Sequence, residues 1–448
     1  MGGTPLIAHV TPQAAVAYRG NQKIGAGQFL SHVTHVASQL PPGAPVLNAC
    51  SDRYYFTVGL AAALVAGVRC LLPPTHTPEV IRNLRQIAPD AICLTDDHHC
   101  AIALPRMRIP VRPPADVETW PPPLIPANQE VADIFTSGST GVPVPHRKTW
   151  GRLTQCVHIE ARRLGLSVAL PRTLLATIAP QHSYGLETSV LLPLLSGSAL
   201  SAERPFFPAD ICASLVAAPG PRVLVSTPVH LRALLGSHLT FPPVEFIVSA
   251  TAPITQEFAR AVEKRFGAPL LEIYGSTETG QIANRRPAHS VEWQLWDQVH
   301  LSRRGDRVWA EGGHIEVPTP LGDNVEILGS NLFVLGGRLH DVVNIAGKRS
   351  SIDYLNHQLL AIPGVQDGTF FLPTDQESSN AGIVRLSAVV VAPTLDSATL
   401  LRHLRASIDP AFLPRPLIMV DSLPRNSTGK LPLEELRSIF ATKPESLV

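Results

Sequence analysis

One segment of this 448-residue sequence places hydroxyls and glycines directly after an apolar run. It reads Asp133-Ile-Phe-Thr-Ser-Gly-Ser-Thr-Gly-Val-Pro143. Glycine lets a backbone approach an anion and turn its N–H groups toward it, while serine and threonine hydroxyls add donors and can reach a magnesium ion. The segment has neither the lysine of a Walker loop nor a dinucleotide fingerprint. By itself it fits either an anion-binding loop or an ordinary surface turn.

A second segment, Tyr274-Gly-Ser-Thr277-Glu278, brings a ring, a hydroxyl and a carboxylate within five residues. It ends an apolar run, which is where open parallel sheets bind ligands. Tyrosine can stack on a base, threonine can bind a phosphate oxygen, and glutamate can hold the divalent cation that accompanies a nucleotide. The alternative is a strand-to-helix turn with Thr277 as the helix cap.

A third segment, Asn426-Ser-Thr-Gly-Lys430, predicts by itself only a turn with a solvated lysine. A fourth, Gly337-Arg-Leu-His340-Asp-Val-Val-Asn-Ile-Ala-Gly347-Lys348-Arg, lies between the second and the third. In this order the segments closely resemble the adenylate-forming superfamily, which comprises acyl-CoA synthetases, aryl acid ligases and adenylation domains of peptide synthetases. The resemblance covers about residues 46–436.

The resemblance implies a role for each matching residue. The residues it assigns to ATP and AMP are Thr136, Ser137, Gly138, Ser139, Thr140, Gly141, Ala250, Thr251, Ala252, Glu272, Tyr274, Gly275, Thr277, Asp323 and Arg338. Those assigned to the acyl pocket are His182, Tyr184, Gly185, Ser249, Ala250 and Gly275. Those assigned to the thiol tunnel and hinge are His340, Gly347 and Lys348. Lys430 and His182 are expected to be catalytic, with Glu278 and Thr140 as metal ligands.

The activity that the resemblance implies is that of an ATP- and Mg²⁺-dependent acid–thiol ligase. Such an enzyme adenylates a carboxylic acid, here expected to be aromatic, and transfers the acyl group to the phosphopantetheine thiol of an acyl carrier protein or of CoA. Rotation of a small C-terminal domain then admits the thiol. Residues 143–150 and 181–187 also resemble the short stand-alone ligases associated with bacterial aryl-polyene and xanthomonadin-type pigments.

Three features depart from the superfamily's pattern. Val144 occupies the usual position of the phosphate-loop lysine, which leaves Arg147 and Lys148 as alternative sources of charge. The hinge position, usually an aspartate, is His340, and the chain is short for a synthetase, which predicts a trimmed rim of the acyl pocket. Two other hypotheses stay open: transfer to a non-thiol acceptor, and a non-catalytic acyl or nucleotide sensor, which the valine at position 144 favours.

The elements that must position these residues follow a β-α-β-α-β pattern over residues 45–95. Strands separated by helices pair in parallel through right-handed crossovers, which predicts an α/β fold with mostly parallel sheets and helices on both faces. The pattern returns over residues 173–274, and short alternating runs over about residues 293–335 predict a β-rich part. We expect residues 1–338 to form the N-terminal domain that binds acid and ATP, and residues 339–448 a small mobile α+β domain that carries the catalytic lysine.

Composition limits the partners of the chain. Lys and Arg number 37 against 36 Asp and Glu, a net charge of +1 that supplies no electrostatic footprint for nucleic acid or anionic lipid. Six cysteines without a C-x-x-C pair argue against a disulfide framework and favour a reducing cytoplasm. The most apolar stretch, residues 57–72, contains Arg69 and is too short to span a bilayer. We therefore expect a cytoplasmic protein with no membrane span and no signal peptide.

Overall fold

The computed structural model of the chain describes residues 3–110, 120–137, 143–252, 254–305, 307–338, 342–345, 348–372 and 385–424, together with 436 and 439. The strands are β1 (Thr4–Pro5), β2 (Ala15–Arg19), β3 (Gln22–Gly25), β4 (Val46–Asn48), β5 (Cys70–Leu72), β6 (Ile92–Thr95), β7 (Arg106–Arg108), β8 (Leu124–Ile125), β9 (Glu130–Ser137), β10 (Pro143–Thr149), β11 (Thr173–Ala176), β12 (Ala199–Ser201), β13 (Arg222–Ser226), β14 (Phe246–Ser249), β15 (Leu270–Ser276), β16 (Gly280–Arg285), β17 (Trp293–Leu295), β18 (Val299–Arg304), β19 (Arg307–Gly312), β20 (Thr319–Pro320), β21 (Asp323–Ile327), β22 (Leu332–Arg338), β23 (Val342–Ile345), β24 (Lys348–Ser351), β25 (Asp367–Phe371), β26 (Ser387–Val391) and β27 (Leu417–Met419).

The helices are α1 (Ala26–Ala37), α2 (Arg53–Val65), α3 (Pro78–Ile87), α4 (Trp150–Arg163), α5 (Leu192–Ser196), α6 (Pro208–Ala217), α7 (Pro228–Leu235), α8 (Gln256–Phe266), α9 (Ile352–Leu360) and α10 (Ser397–Ser407). The chain also forms a π-helix, Gly185–Leu191, and a 3₁₀ helix, Pro410–Phe412. Among the described residues, we find no helix with both the length and the apolar character needed to cross a bilayer.

The described residues fall into two compact units. The ranges of the larger unit are Met1–Pro74, Leu84–Thr136 and Pro145–His340. The ranges of the smaller unit are Thr75–Asn83, Ser137–Val144 and Asp341–Val448. The division of the chain into functional domains at residue 338, and the mobility of residues 339–448, stay predictions.

Two large sheets make up most of the larger unit. The smaller of them has six strands in the order β10-β9-β5-β4-β6-β7, and β4 pairs in parallel with β5 and β6. The larger has eleven strands in the order β21-β22-β17-β16-β15-β14-β13-β11-β12-β2-β3. Within it β11, β13, β14 and β15 are parallel, and β16, β17, β22 and β21 continue antiparallel. The predicted α/β fold with parallel sheets and a β-rich part is confirmed.

The smaller unit has its own core. Its sheet has three strands, in which β26 pairs antiparallel with β25 and in parallel with β27. Helices α9 and α10 pack beside this sheet. Its buried apolar side chains include Leu355, Leu359, Phe370, Val390 and Leu400.

Arg53 ties α2 to the eleven-stranded sheet. The helix packs against β4 of the six-stranded sheet and β12 of the eleven-stranded sheet. The Arg53 side chain is fully buried, and its Nη2 donates to the carbonyl oxygens of Ala176 (2.8 Å) and Ile178 (2.9 Å). Its Nη1 donates to the hydroxyl of Ser189 in the π-helix. The guanidinium thereby donates to buried carbonyl oxygens at the end of β11 and just after it.

Replacing Arg53 with methionine is expected to destabilise the larger unit by about 3 kcal/mol, because buried carbonyls lose a charged donor. Calorimetry of thermal unfolding measures the effect. Arg85→Met on the exposed side of α3 is the matched control, with an expected change within about 0.5 kcal/mol. Equal unfolding midpoints for the two variants would contradict the assigned role of Arg53.

Candidate active site

The turn between β15 and β16 presents Thr277 and Glu278. Two hydroxyls hold this turn: Thr279 Oγ1 accepts from the Ser276 N–H at 3.1 Å, and Ser276 Oγ accepts from the Thr279 N–H at 3.2 Å. Since β16 pairs antiparallel with β15, the segment is a hairpin. The alternative of a strand-to-helix turn capped by Thr277 is therefore wrong.

Gly275 allows the hairpin to form at this point. The β15–β16 register shifts between Tyr274 and Gly275, and the two strands approach so closely there that a Cβ on Gly275 would collide with the carbonyl oxygen of Gly280. A residue without a side chain is required at such an approach. The predicted contacts of Gly275 with nucleotide and acyl group stay predictions, but its structural role is visible.

Three residues predicted to bind the nucleotide come together beside the hairpin. The Tyr274 hydroxyl donates to Asp323 Oδ2 at 2.8 Å. The tyrosine ring packs against Trp293 and Phe333, with ring centroids 5.5 and 5.8 Å away. Asp323 in β21 is the register partner of Arg338 in β22. The fold thus juxtaposes an aromatic ring, a carboxylate and the backbone position of an arginine.

The carboxyl end of β14 carries the segment 249–252. The hydroxyls of Ser249 and Thr251 are buried and have no hydrogen-bond partner within the described part of the chain. Thr251 has a φ of 82°, a left-handed conformation that is strained for a β-branched residue. Strained backbone and unpaired buried hydroxyls are typical of ligand sites. Ala250 and Ala252 flank Thr251, and the predicted contacts of this segment fit such a site.

Glu272 has a structural role in the same region. Its Oε2 lies 2.7 Å from Arg285 Nε, and its Oε1 accepts from the Ile254 N–H at 3.1 Å. Burial raises its pKa to about 7, against the opposing effect of Arg285. These contacts join β15, β16 and the chain after β14. A contact between Glu272 and nucleotide stays a prediction.

The segment after β11 carries the predicted acyl-pocket residues His182, Tyr184 and Gly185. The Tyr184 hydroxyl is buried within hydrogen-bond distance of the carbonyl oxygens of Ser226 (3.3 Å) and Val248 (3.1 Å). A Cβ on Gly185 would collide with the backbone of the preceding turn. His182 is half-buried and stands just before the π-helix, an irregularity common at functional sites.

Thr136 lies at the end of β9, where its Oγ1 is 2.8 Å from His146 Nε2 in β10. The same nitrogen lies 3.6 Å from Glu278 Oε1, which connects this strand pair to the β15–β16 hairpin. Burial lowers the pKa of His146 below its ordinary value, so the ring is mostly neutral at pH 7. The edge of the six-stranded sheet therefore adjoins the hairpin that presents Glu278.

Lys348, predicted to lie at the thiol tunnel, belongs to the smaller unit. Its Nζ is 2.5 Å from Asp409 Oδ2, and Asp409 Oδ1 accepts from the Ala411 N–H. Its role toward the thiol stays a prediction. The predicted residues that lie outside the described ones, or whose side chains do, are Ser137, Gly138, Ser139, Thr140, Gly141, Arg338, His340, Gly347 and Lys430.

A family model described as AMP-binding enzyme matches residues 8–331. The chain belongs to the AMP-binding enzyme family. It is 32% identical over 313 residues to a 4-coumarate–CoA ligase of Rhodobacter capsulatus, a match that covers 68% of this chain and 77% of that protein. A 4-coumarate–CoA ligase of Halorhodospira halophila is 30% identical over 305 residues, with 66% and 73% covered.

Solved structures share the fold of this AMP-binding enzyme. An o-succinylbenzoate CoA synthetase from Bacillus subtilis superimposes with a TM-score of 0.80 at 16% identity, covering 96% of each chain. An amide bond synthetase from Marinactinospora thermotolerans gives a TM-score of 0.80 at 17% identity, covering 95% of this chain and 97% of that chain. The chain is thus an enzyme of the AMP-forming acyl-CoA ligase family with that family's architecture.

A buried acidic cluster formed by Glu160 and Glu187 of this AMP-binding enzyme was not predicted from the sequence. Thr188 donates to Glu160 Oε1 at 2.6 Å and accepts from Gln281 Nε2 at 2.8 Å, while Ser183 donates to Glu187 at 2.9 Å. Burial raises the pKa of Glu160 to about 8 and also raises that of Glu187. A sequence signal existed, because Glu160 falls on the buried side of α4.

Replacing Glu160 with glutamine is expected to stabilise the enzyme at alkaline pH. Burial raises the pKa of Glu160 from its ordinary 4.5 to about 8, so the folded protein keeps the carboxyl protonated while the unfolded chain ionises it. Between these two pKa values the free energy of unfolding falls by about 1.4 kcal/mol per pH unit for this group. Glutamine keeps the acceptor for Thr188 and removes that loss.

Urea unfolding at pH 5 and pH 8 measures this prediction. The stability gain of Glu160→Gln over wild type should be larger at pH 8, and the exposed Glu257→Gln should give a difference that hardly changes with pH. A gain at Glu160 that is the same at both pH values would show that its carboxyl ionises normally in the folded protein.

Proposed function

We propose that this enzyme adenylates an aromatic carboxylic acid and transfers the acyl group to a pantetheine thiol. The observation that carries the proposal is the convergence of Tyr274, Asp323 and the Glu278 hairpin in a member of the AMP-binding enzyme family. The two relatives named 4-coumarate–CoA ligase support an aromatic acid, since both are at least 30% identical to the chain.

In the first half-reaction a carboxylate oxygen of the acid attacks the α-phosphorus of ATP. The bond from that phosphorus to the bridging oxygen breaks, and pyrophosphate leaves with the electron pair. Both reactants are anions, so the site must hold them in line and offset the charge on the leaving group. In the proposal the Tyr274 ring lies against adenine and Asp323 accepts hydrogen bonds from the ribose hydroxyls. Thr277 binds the α-phosphate, and Lys430 bridges carboxylate and phosphate.

Glu278 fits a magnesium ligand. Its carboxylate is 38% exposed at the tip of a braced hairpin, and carboxylate oxygens are the donors that Mg²⁺ prefers. When bound, Mg²⁺ neutralises charge on the phosphates. Thr140 is the second ligand that the proposal assigns, and it lies outside the described residues.

In the second half-reaction the thiol sulfur attacks the acyl carbon. The bond from that carbon to the AMP oxygen breaks, AMP leaves, and the thiol proton passes to solvent. In the proposal, rotation of residues 339–448 about His340 opens a tunnel past Gly347 and Lys348. CoA and a carrier protein offer the same thiol. The resemblance to stand-alone pigment ligases favours an acyl carrier protein and an aryl pigment precursor as product. The six scattered cysteines favour a cytoplasmic location.

Acid-dependent ATP–pyrophosphate exchange tests the first half-reaction over a panel of benzoates, cinnamates and fatty acids. We expect exchange with aromatic acids, reduced about 100- to 1000-fold in Lys430→Ala because one positioned charge at the reacting centre is lost. Lys264→Ala, an exposed lysine on α8, is the control that should keep the wild-type rate. Exchange at the wild-type rate in Lys430→Ala would contradict the assigned role.

The acceptor is then identified by incubating the loaded enzyme with CoA or with a phosphopantetheinylated carrier protein and measuring the acyl mass gain of each. Acylation of the carrier in preference to CoA is the expected outcome. Transfer to neither thiol would refute the second half-reaction as proposed.

A further inference from the structure

The basic residues of strand β10 lie on both faces of the strand, because successive side chains in a strand point to opposite sides. His146 and Lys148 lie toward the β15–β16 hairpin: His146 Nε2 is 3.6 Å from Glu278 Oε1, and Lys148 Nζ is 3.4 Å from the Glu278 carbonyl oxygen. Val144 has the same parity in the strand and is 44% exposed. The row formed by positions 144, 146 and 148 therefore includes one lysine next to the hairpin.

Arg147 points to the other face of the strand, where it forms ion pairs with two carboxylates. Its Nη1 lies 2.8 Å from Glu130 Oε1 and its Nε 3.1 Å from Asp133 Oδ1. Asp133 is almost completely buried and also binds Arg69 Nε at 2.8 Å. Asp133 raises the pKa of Arg147 further above its ordinary value. Arg147 is thus an internal cross-link of the sheet and is not available to a ligand at the hairpin.

Lys148 forms no ion pair with a carboxylate of the described residues. Among the described residues no carboxylate lies within ion-pair distance of its Nζ, and its half-buried side chain reaches a single carbonyl oxygen. The positive charge of Lys148 affects the titratable groups around it. It opposes the effect of burial on the pKa of Glu187, and it helps to lower the pKa of His146 and of His314. An ammonium held beside a phosphate-binding hairpin without a carboxylate partner suits a polyanion.

We propose that Lys148 binds the polyphosphate of ATP at the Thr277–Glu278 hairpin and supplies the cationic charge that Val144 cannot. His146, held by Thr136, is the hydrogen-bonding neighbour in the same row. The inference rests on the proposed function in taking ATP as the ligand. It assigns the charge at the hairpin to Lys148 and excludes Arg147.

Calorimetric titration of each variant with Mg²⁺·ATP and with AMP, without acid, tests the inference directly. Lys148→Gln should weaken ATP binding about 10- to 100-fold, and AMP binding much less, because AMP lacks the β- and γ-phosphates. Arg147→Gln, the adjacent residue on the opposite face, should leave the Kd for ATP within about 3-fold of wild type while lowering the unfolding midpoint.

Two further variants separate binding from structure. Lys148→Arg should restore most of the ATP affinity because it keeps the charge, and adding Val144→Lys to Lys148→Gln should restore part of it. In pyrophosphate exchange, Lys148→Gln should raise the KM for ATP more than it lowers kcat. ATP affinity in folded Lys148→Gln equal to that of wild type would overturn the assignment even if acid-dependent exchange proceeds normally. Failure of the wild-type protein to bind ATP would overturn the proposed function as well.

Discussion

Parallel register in the eleven-stranded sheet is the constraint on which the site depends. Ser226 pairs with Ser249, and Ser249 pairs with Glu272, so β13 and β14 end at the same level, while β15 continues beyond them to Ser276. Parallel strands open their carboxyl ends at one edge, where ligands of open sheets bind. The predicted substrate residues between positions 182 and 278 lie after β11, or within or directly after β14 and β15, so a slip in this register would separate them.

A second constraint is electrostatic, because a carboxylate and a triphosphate repel each other. Alternation of side chains along strand β10 provides positive charge against this repulsion. Arg147 pairs with the buried Asp133 and stabilises the sheet, whereas the Lys148 ammonium lies at the hairpin. Two adjacent residues of the same charge thus have different roles, which their residue types alone do not indicate. His146 lies between hairpin and sheet and hydrogen-bonds Thr136.

Local patterns sufficed to predict the alternation of strands and helices, whereas contacts distant in sequence did not follow from them. Strand β14 lies within the β-α pattern predicted over residues 173–274, and α8 begins after Thr255, whose hydroxyl accepts from the Phe258 N–H at 3.2 Å. The Tyr274–Asp323 bond joins strands 49 residues apart, so only a resemblance could suggest it. Whether Arg147 or Lys148 faces the site depends on where β10 begins, which the glycine-rich segment before it does not reveal.

Adenylation of an acid by this enzyme can be measured by following one oxygen atom. An aromatic acid labelled with heavy oxygen in its carboxylate is turned over with ATP and a thiol acceptor, and the AMP is analysed by mass spectrometry. Attack of the carboxylate on the α-phosphorus predicts that each AMP carries one labelled oxygen. Unlabelled AMP, or label in inorganic phosphate instead, would show that the carboxylate does not attack the α-phosphorus.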